Sequence, residues 1–186
     1  MLVNVCMLAF MKSHTHKTTW SIAGTRSSLK GDKGRTVHLI DAENLLGSPR
    51  FTAQEARQLE IRYRAKIGIA DSDQVIVASS HLSAPSLWFG WSPEARRMVR
   101  SGRDGADLEL VSVVTREHLA RRCSNVVIAS GDGIFAAVAA QLQKNGCRVS
   151  VVCANRASLS TRLALAVRDI HFLDVADMTS TVRKAA

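Results

Sequence analysis

Short runs of branched apolar residues recur along this chain, each bounded by turn-forming residues and most separated from the next by a helical pattern. TVHLID (36–41), QVIVASS (74–80), NVVIAS (125–130), CRVSVVCA (147–154) and DIHFLD (169–174) have the length and composition of strands. A further strand is expected around Arg96–Arg100. The runs are apolar almost throughout, which is the pattern of strands covered on both faces. Such strands alternating with helices predict an α/β fold. The expected architecture is a three-layer α/β/α sandwich around a mainly parallel central sheet, Rossmann-like in plan.

The intervening segments carry helix signals of unequal strength. Thr52-Ala53-Gln54-Glu55 is a capping-box pattern, opening a helix with Ala56, Leu59, Tyr63 and Ile67 on one face and Gly68 near its end. HLSAPSLWFGW (81–91) reads as a loop from its proline and glycine. GRDGAD (102–107) leads into one helical stretch, LELVSVVTREHLARR, with Asp104 as N-cap and Asp107 three residues in. The helix after NVVIAS buries Ile134, Phe135, Val138, Ala139 and Leu142 and stops at Gly146. Ser158 is placed to cap another, carrying Leu159, Leu163 and Val167.

Residues 12–34 are polar, basic and rich in Ser, Thr and Gly. Residues 1–34 are therefore expected to form a basic, flexible N-terminal arm, 35–175 the folded domain and 176–186 a C-terminal tail. His14 and His16 lack a third ligand nearby and read as part of the solvated arm. The apolar opening MLVNVCMLAF is too short to span a bilayer and lacks a signal's preceding basic residues. No membrane association and a cytoplasmic address are expected. Cys6, Cys123, Cys147 and Cys153 contain no Cys-x-x-Cys pair and read as free, mostly buried thiols.

Twenty-five Lys and Arg against 16 Asp and Glu give a net charge of +9. That excess points to a polyanionic partner, nucleic acid first, against the plainer reading of a basic tail and a soluble surface. Basic residues cluster at Arg57, Arg62, Arg64 and Lys66, at Arg96, Arg97, Arg100 and Arg103, and at Arg116, Arg121 and Arg122. The first reads as a solvated helix face with a Glu60–Arg64 pair, and the second as the candidate grip on a phosphate backbone. Trp88, Phe89 and Trp91 read as aromatic packing under a loop, with stacking on unpaired bases as the alternative. No Gly-x-Gly-x-x-Gly follows a strand and no Walker lysine motif is present, which argues against dinucleotide and P-loop chemistry.

In open α/β sheets, ligands gather outside the carboxyl ends of the strands. The acids expected there are Asp41, followed closely by Glu43 and Asn44, then Asp104 or Asp107, and Asp132. Capping or the helix dipole explains Asp104, Asp107 and Asp132 one by one. It does not explain Asp41, since no helix pattern begins immediately after it. If strands one and four are neighbours, Asp41 and Asp132 face each other and Asp107 completes a three-acid cup. Converging carboxylates need a cation between them, and an all-oxygen set selects Mg²⁺ or Mn²⁺. Gly131 and Gly133 would let the backbone approach a phosphate, or permit the turn.

LIDAENL (39–45), GADLEL (105–110) and VVIASGDGIFAAVAAQLQKNGCRVSVV (126–152) together resemble the NYN family of the PIN-like nuclease superfamily, in order and over roughly residues 36–174. The family pattern of Asp-x-x-Asn, a helix-opening Asp and Ser-Gly-Asp corresponds to Asp41 with Asn44, to Asp107, and to Ser130-Gly131-Asp132. The resemblance implies a metal-dependent ribonuclease with RNA as its partner. Asp41, Asp107 and Asp132 would hold Mg²⁺ or Mn²⁺, and Asn44 would orient a carboxylate or phosphate. Ser130 would support Asp132 and stand with Arg100 and Arg103 toward the substrate. Ile134 and a position near Val113 are apolar where the family often has acids, with Glu43, Asp104 or Glu109 as possible substitutes. A catalytically depleted module binding RNA or protein is therefore the alternative. A haloacid dehalogenase-type phosphatase is a looser match, through Asp41-Ala42-Glu43 and Gly131-Asp132-Gly133.

Overall fold

The computed structural model describes residues 34–175. The expectations for residues 1–33 and 176–186, including Cys6, His14 and His16, lie outside the described residues. Along the chain run β1 (Thr36–Asp41), α1 (Ala42–Leu46), α2 (Ala53–Ile67), β2 (Gln74–Ser79), α3 (Ala84–Gly90) and β3 (Arg96–Val99). Then follow α4 (Gly105–Arg116), α5 (Leu119–Arg122), β4 (Asn125–Ala129), α6 (Phe135–Lys144) and β5 (Arg148–Cys153). A 3₁₀ turn (Arg156–Ser158), α7 (Thr161–Ala166) and β6 (Asp169–Phe172) complete the domain.

All six strands are parallel, in the order β3-β2-β1-β4-β5-β6. The strand order reverses between β1 and β4, which pair with Ile40 opposite Ala129. Such a reversal opens a crevice at the carboxyl ends of the two strands. Every position of β1 is buried, because its side chains serve two cores in alternation. Val37 and Leu39 join Leu110, Phe135 and Leu142 on one face of the sheet, while Ile40 joins Leu59, Tyr63 and Leu87 on the other. Each fully buried Leu, Ile or Phe of this kind stabilises the fold by about 1.5–3 kcal/mol. Among the described residues, no helix is long and apolar enough to cross a membrane. Cys123, Cys147 and Cys153 are free and buried, as expected.

The capping box of α2 forms as its sequence predicts: Thr52 Oγ1 accepts the Glu55 N–H at 3.2 Å, and Glu55 Oε2 accepts the Thr52 N–H at 2.7 Å. Arg64 pairs with Glu60 at 2.9 Å on the same helix. Four expectations need correction. Residues 84–90 are helical, not a loop, since Pro85 lies in the first helical turn, where its missing N–H costs no hydrogen bond. The single helix expected over 108–122 is broken at Glu117, with His118 left-handed at φ 50° before α5 begins. Ser160, not Ser158, caps α7, while Asn155 caps the 3₁₀ turn ahead of it. Ile134 precedes α6 instead of lying within its buried stripe, and it and Val138 are only half-buried.

Candidate functional site

A helix does begin immediately after Asp41, contrary to expectation. Asp41 is the N-cap of the five-residue α1, with its Oδ1 accepting the N–H groups of Glu43 and Asn44, both at 3.1 Å. Capping thus accounts for one carboxyl oxygen of Asp41. The other constraint comes from α4. Gly105 opens that helix where any Cβ would stand 2.3 Å from the Arg100 carbonyl, so only glycine lets the chain turn so tightly. Asp107, two residues on, is carried against β1.

The carboxyl groups of Asp41 and Asp107 are hydrogen-bonded and both are buried, at 3% and 8% exposure. Two carboxylates cannot make that contact without a proton or cation between them. Burial pushes Asp107 up to about 9, helped by its hydrogen bond to Asp41 and by the charges of Asp41, Asp132 and Asp104. Burial also raises Asp41, against the pull of its hydrogen bonds to Asp107 and to the Asn44 and Glu43 amides. Both shifts run in the same direction, favouring a proton between the two carboxyl groups when no cation lies there. Asp107 Oδ1 is buried without a hydrogen-bond donor among the described residues.

Asp132 stands on the neighbouring loop. Its N–H donates to Ser130 Oγ at 3.2 Å, and its Oδ1 accepts the Ile134 N–H at 2.9 Å, so it organises the turn before α6. Gly131 donates its N–H to Asn44 Oδ1 at 2.8 Å and accepts the Ser160 N–H at 2.9 Å. A Cβ at Gly131 would lie 2.0 Å from the Ser158 carbonyl. That glycine thus permits close approach of the chain's own 158–160 segment, a role not legible in the motif. Asp132 acts on Asp107 through its charge. Among the described residues, no three His, Cys, Asp or Glu side chains form a ready metal cluster. Of the expected cup, Asp41 and Asp107 interact directly, and Asp132 reaches Asp107 through its charge.

A cleft of about 350 Å³ opens onto the pair, lined among others by Glu43, Asn44, Ser80 and Asp104. Glu43 Oε1 accepts the Ser80 N–H at 2.8 Å, tying α1 to the end of β2. Asp104 is left-handed at φ 54°, makes no capping hydrogen bond and leaves its half-exposed side chain at the cleft. Glu109 is engaged by Arg116 at 2.6 Å and faces Arg100 at 3.8 Å, and it does not line the cleft. Val113 is core, with 0% exposure, and Ile134 packs against the same cluster.

The remaining anticipated residues are scattered. Ser130 is fully buried, and its Oγ accepts the Asp132 N–H, so it braces the loop that carries Asp132. Arg103 is 95% exposed beside Asp104, and Arg100 is about half exposed. The other two arginines of that cluster turn elsewhere. Arg96 pairs with Glu117, and Arg97 donates to the carbonyls of Trp91 and Ser92. Ser80 and the 158–160 segment were missed. Ser80 carries no sequence signal, whereas the glycines of the Ser-Gly-Asp-Gly turn do mark a close approach there.

Comparison with known proteins agrees with this plan. The NYN domain family matches residues 35–175. A crystal structure of a protein of unknown function from Vibrio parahaemolyticus superposes with a TM-score of 0.50 at 16% identity, covering 75% of this chain and 92% of that one. The MAR1 ribonuclease from Caenorhabditis elegans superposes with a TM-score of 0.42 at 13% identity, covering 76% and 78%. No curated protein matches the sequence. With the Asp-x-x-Asn, helix-opening Asp and Ser-Gly-Asp elements gathered at the crevice of a parallel sheet, the chain belongs to the NYN domain family of the PIN-like superfamily.

Proposed function

We propose that the cleft at the carboxyl end of β1, over Asp41 and Asp107, is the active site of a ribonuclease that hydrolyses RNA phosphodiester bonds with Mg²⁺ or Mn²⁺. The observation that carries this reading is the buried Asp41–Asp107 carboxyl contact, with an Asp107 oxygen that lacks a donor. A pair forced together at the cost of a shared proton is suited to exchange that proton for a cation. Two carboxylates are enough for Mg²⁺, which keeps several of its waters. Asp41 and Asp107 would hold the ion, with Asp132 near enough to add its charge. A cation so held polarises a phosphoryl oxygen and lowers the pKa of bound water.

The chain's own groups supply the rest. Asp41 keeps one oxygen fixed by two amides, leaving the other for the site. Asn44 holds Gly131, and through it Asp132, at a set distance from β1. Arg100 and Arg103, on the segment leading into α4, are available to a phosphate backbone. A second reading, an RNA-binding module without turnover, is favoured by the core placement of Val113 and the packing of Ile134 on the same core. The phosphatase reading is set aside, because the family match supports a different chemistry. The test is cleavage of a mixed RNA panel with Mn²⁺ by wild type and Asp41→Asn. Cleavage lost in the variant supports the site, and cleavage unchanged in it overturns the site. RNA binding without cleavage by either protein supports the module.

A further inference from the structure

Helix α3 points its apolar stripe the wrong way for a globular protein. Leu87 and Gly90 face the core, and a Cβ at Gly90 would stand 2.3 Å from the Ala53 carbonyl, which pins the helix against α2. Pro85, Trp88 and Phe89, at i, i+3 and i+4, then share the outward face. Trp88 is 50% and Phe89 78% exposed, and Leu82, just ahead of the helix, is 62% exposed. Trp91, by contrast, is buried, so only it follows the expected packing role.

The groups beside this stripe are cationic. The Arg97 guanidinium lies over the Trp88 ring, 5.7 Å from its centroid, covering one face and fixing the indole. Arg57 reaches the Phe89 carbonyl at 3.4 Å. Arg50 is exposed beside Pro49, whose carbonyl accepts the hydroxyl of Ser83, the N-cap of α3, at 2.8 Å. Among the described residues, none of Arg50, Arg57 and Arg97 is in an ion pair, although Glu94 lies within electrostatic reach of Arg97. Pro49 and Ser80 also line the cleft. The stripe therefore continues outward from the rim of the candidate active site.

We propose that the Trp88–Phe89 face of α3 is a stacking subsite for unpaired bases of an RNA strand that leaves the cleft past Arg50 and Arg57. Open π-faces next to cations without carboxylate partners suit a strand of splayed nucleotides, which presents both bases and phosphates. A protein partner would need carboxylates set beside its apolar contact, whereas every nucleotide of a strand brings a base and a phosphate together. The subsite rests on the reading of RNA as the ligand, but not on turnover.

The test uses full-length protein in EDTA, so that nothing is cleaved, with anisotropy of a labelled, unstructured RNA of about 12 nucleotides. Trp88→Ala and Phe89→Ala should each weaken single-strand binding on the order of tenfold. Trp88→Phe should restore most of the loss, and binding of a duplex of the same sequence should not change. Unchanged single-strand affinity in the double alanine variant overturns the subsite, as does an equal loss for duplex. So does a self-association of wild type that the double variant abolishes. If wild type binds as expected yet cleaves no RNA when Mn²⁺ is supplied in place of EDTA, the subsite stands and the ribonuclease reading alone fails.

Discussion

The side-chain carbonyl of Asn44 accepts the Gly131 N–H at 2.8 Å, joining α1 to the turn before α6 across 87 residues of sequence. Asp41 caps α1 and Asp132 stands in that turn, so the hydrogen bond ties together the segments that carry the two acids. Asn44→Ala leaves a half-buried amide without its acceptor. We expect a loss of about 1–3 kcal/mol in urea unfolding. An unchanged midpoint and slope would show that the two loops are held by other contacts.

Glycines 131 and 133 should respond differently to the same change. Gly131→Ala drives a methyl to 2.0 Å from the Ser158 carbonyl, a backbone atom that cannot move aside without shifting its segment. Gly133→Ala meets Ser160 Oγ at 3.1 Å, and that side chain can give way by a few tenths of an ångström. Thermal unfolding should place the first variant about 1–3 kcal/mol below wild type and the second close to it. Equal losses would contradict this account of the turn.

The carboxyl pair makes the metal-free protein sensitive to alkali. Asp107 holds its proton up to about 9 when folded, against an ordinary value of 3.8. Between those limits the folded chain keeps a proton that the unfolded chain has released, so stability falls as pH rises through the window. The slope is at most a little over 1 kcal/mol per pH unit for one group. Burial raises Asp41 in the same sense. In EDTA, wild type should therefore melt lower at pH 8 than at pH 5.5, and Asp107→Asn should remove most of that difference. A wild type that gains stability over this range would rule out the shared proton.

Positions 113 and 134 differ in their capacity to take an acid. Val113→Asp would bury a charge in the core beside Leu110, at a cost of about 3 kcal/mol or more. Ile134 is half-buried at the start of α6, where an aspartate also meets the helix dipole favourably. Ile134→Asp gives up part of its packing on the core, so it should lose about 1–2 kcal/mol, less than Val113→Asp, and bind Mn²⁺ more tightly than wild type. A folded Ile134→Asp with unaltered Mn²⁺ affinity would show that this position does not face the site.

The strands were legible because burial on both faces leaves a continuous apolar run, as in β1 and β4, and a parallel sheet followed from the α/β plan, whereas the order that sets β1 beside β4 did not. Asp41 was legible as a charged residue closing a buried strand, while Asp107, inside the first turn of α4, needed the motif spacing to single it out. Local punctuation misled at α3, where Pro85 suggested a loop but occupies the first turn, the one part of a helix that tolerates it. The capping role of Asp41 was hidden because α1 is only five residues long and ends at a left-handed Gly47. Neither the contact of Gly131 with Ser158 nor the tie from Glu43 to Ser80 leaves a spacing signal, since each joins elements that meet only in the folded sheet.

If Asp41 and Asp107 share a proton, a divalent cation binding between them must displace it. Calorimetric titration of Mn²⁺ at pH 7, in two buffers of different ionisation heat, counts protons released on binding. Wild type should bind Mn²⁺ with release of close to one proton, and Asp107→Asn should lose both the affinity and the release. Binding that survives undiminished in Asp107→Asn, or a wild type that binds no Mn²⁺, would contradict the account.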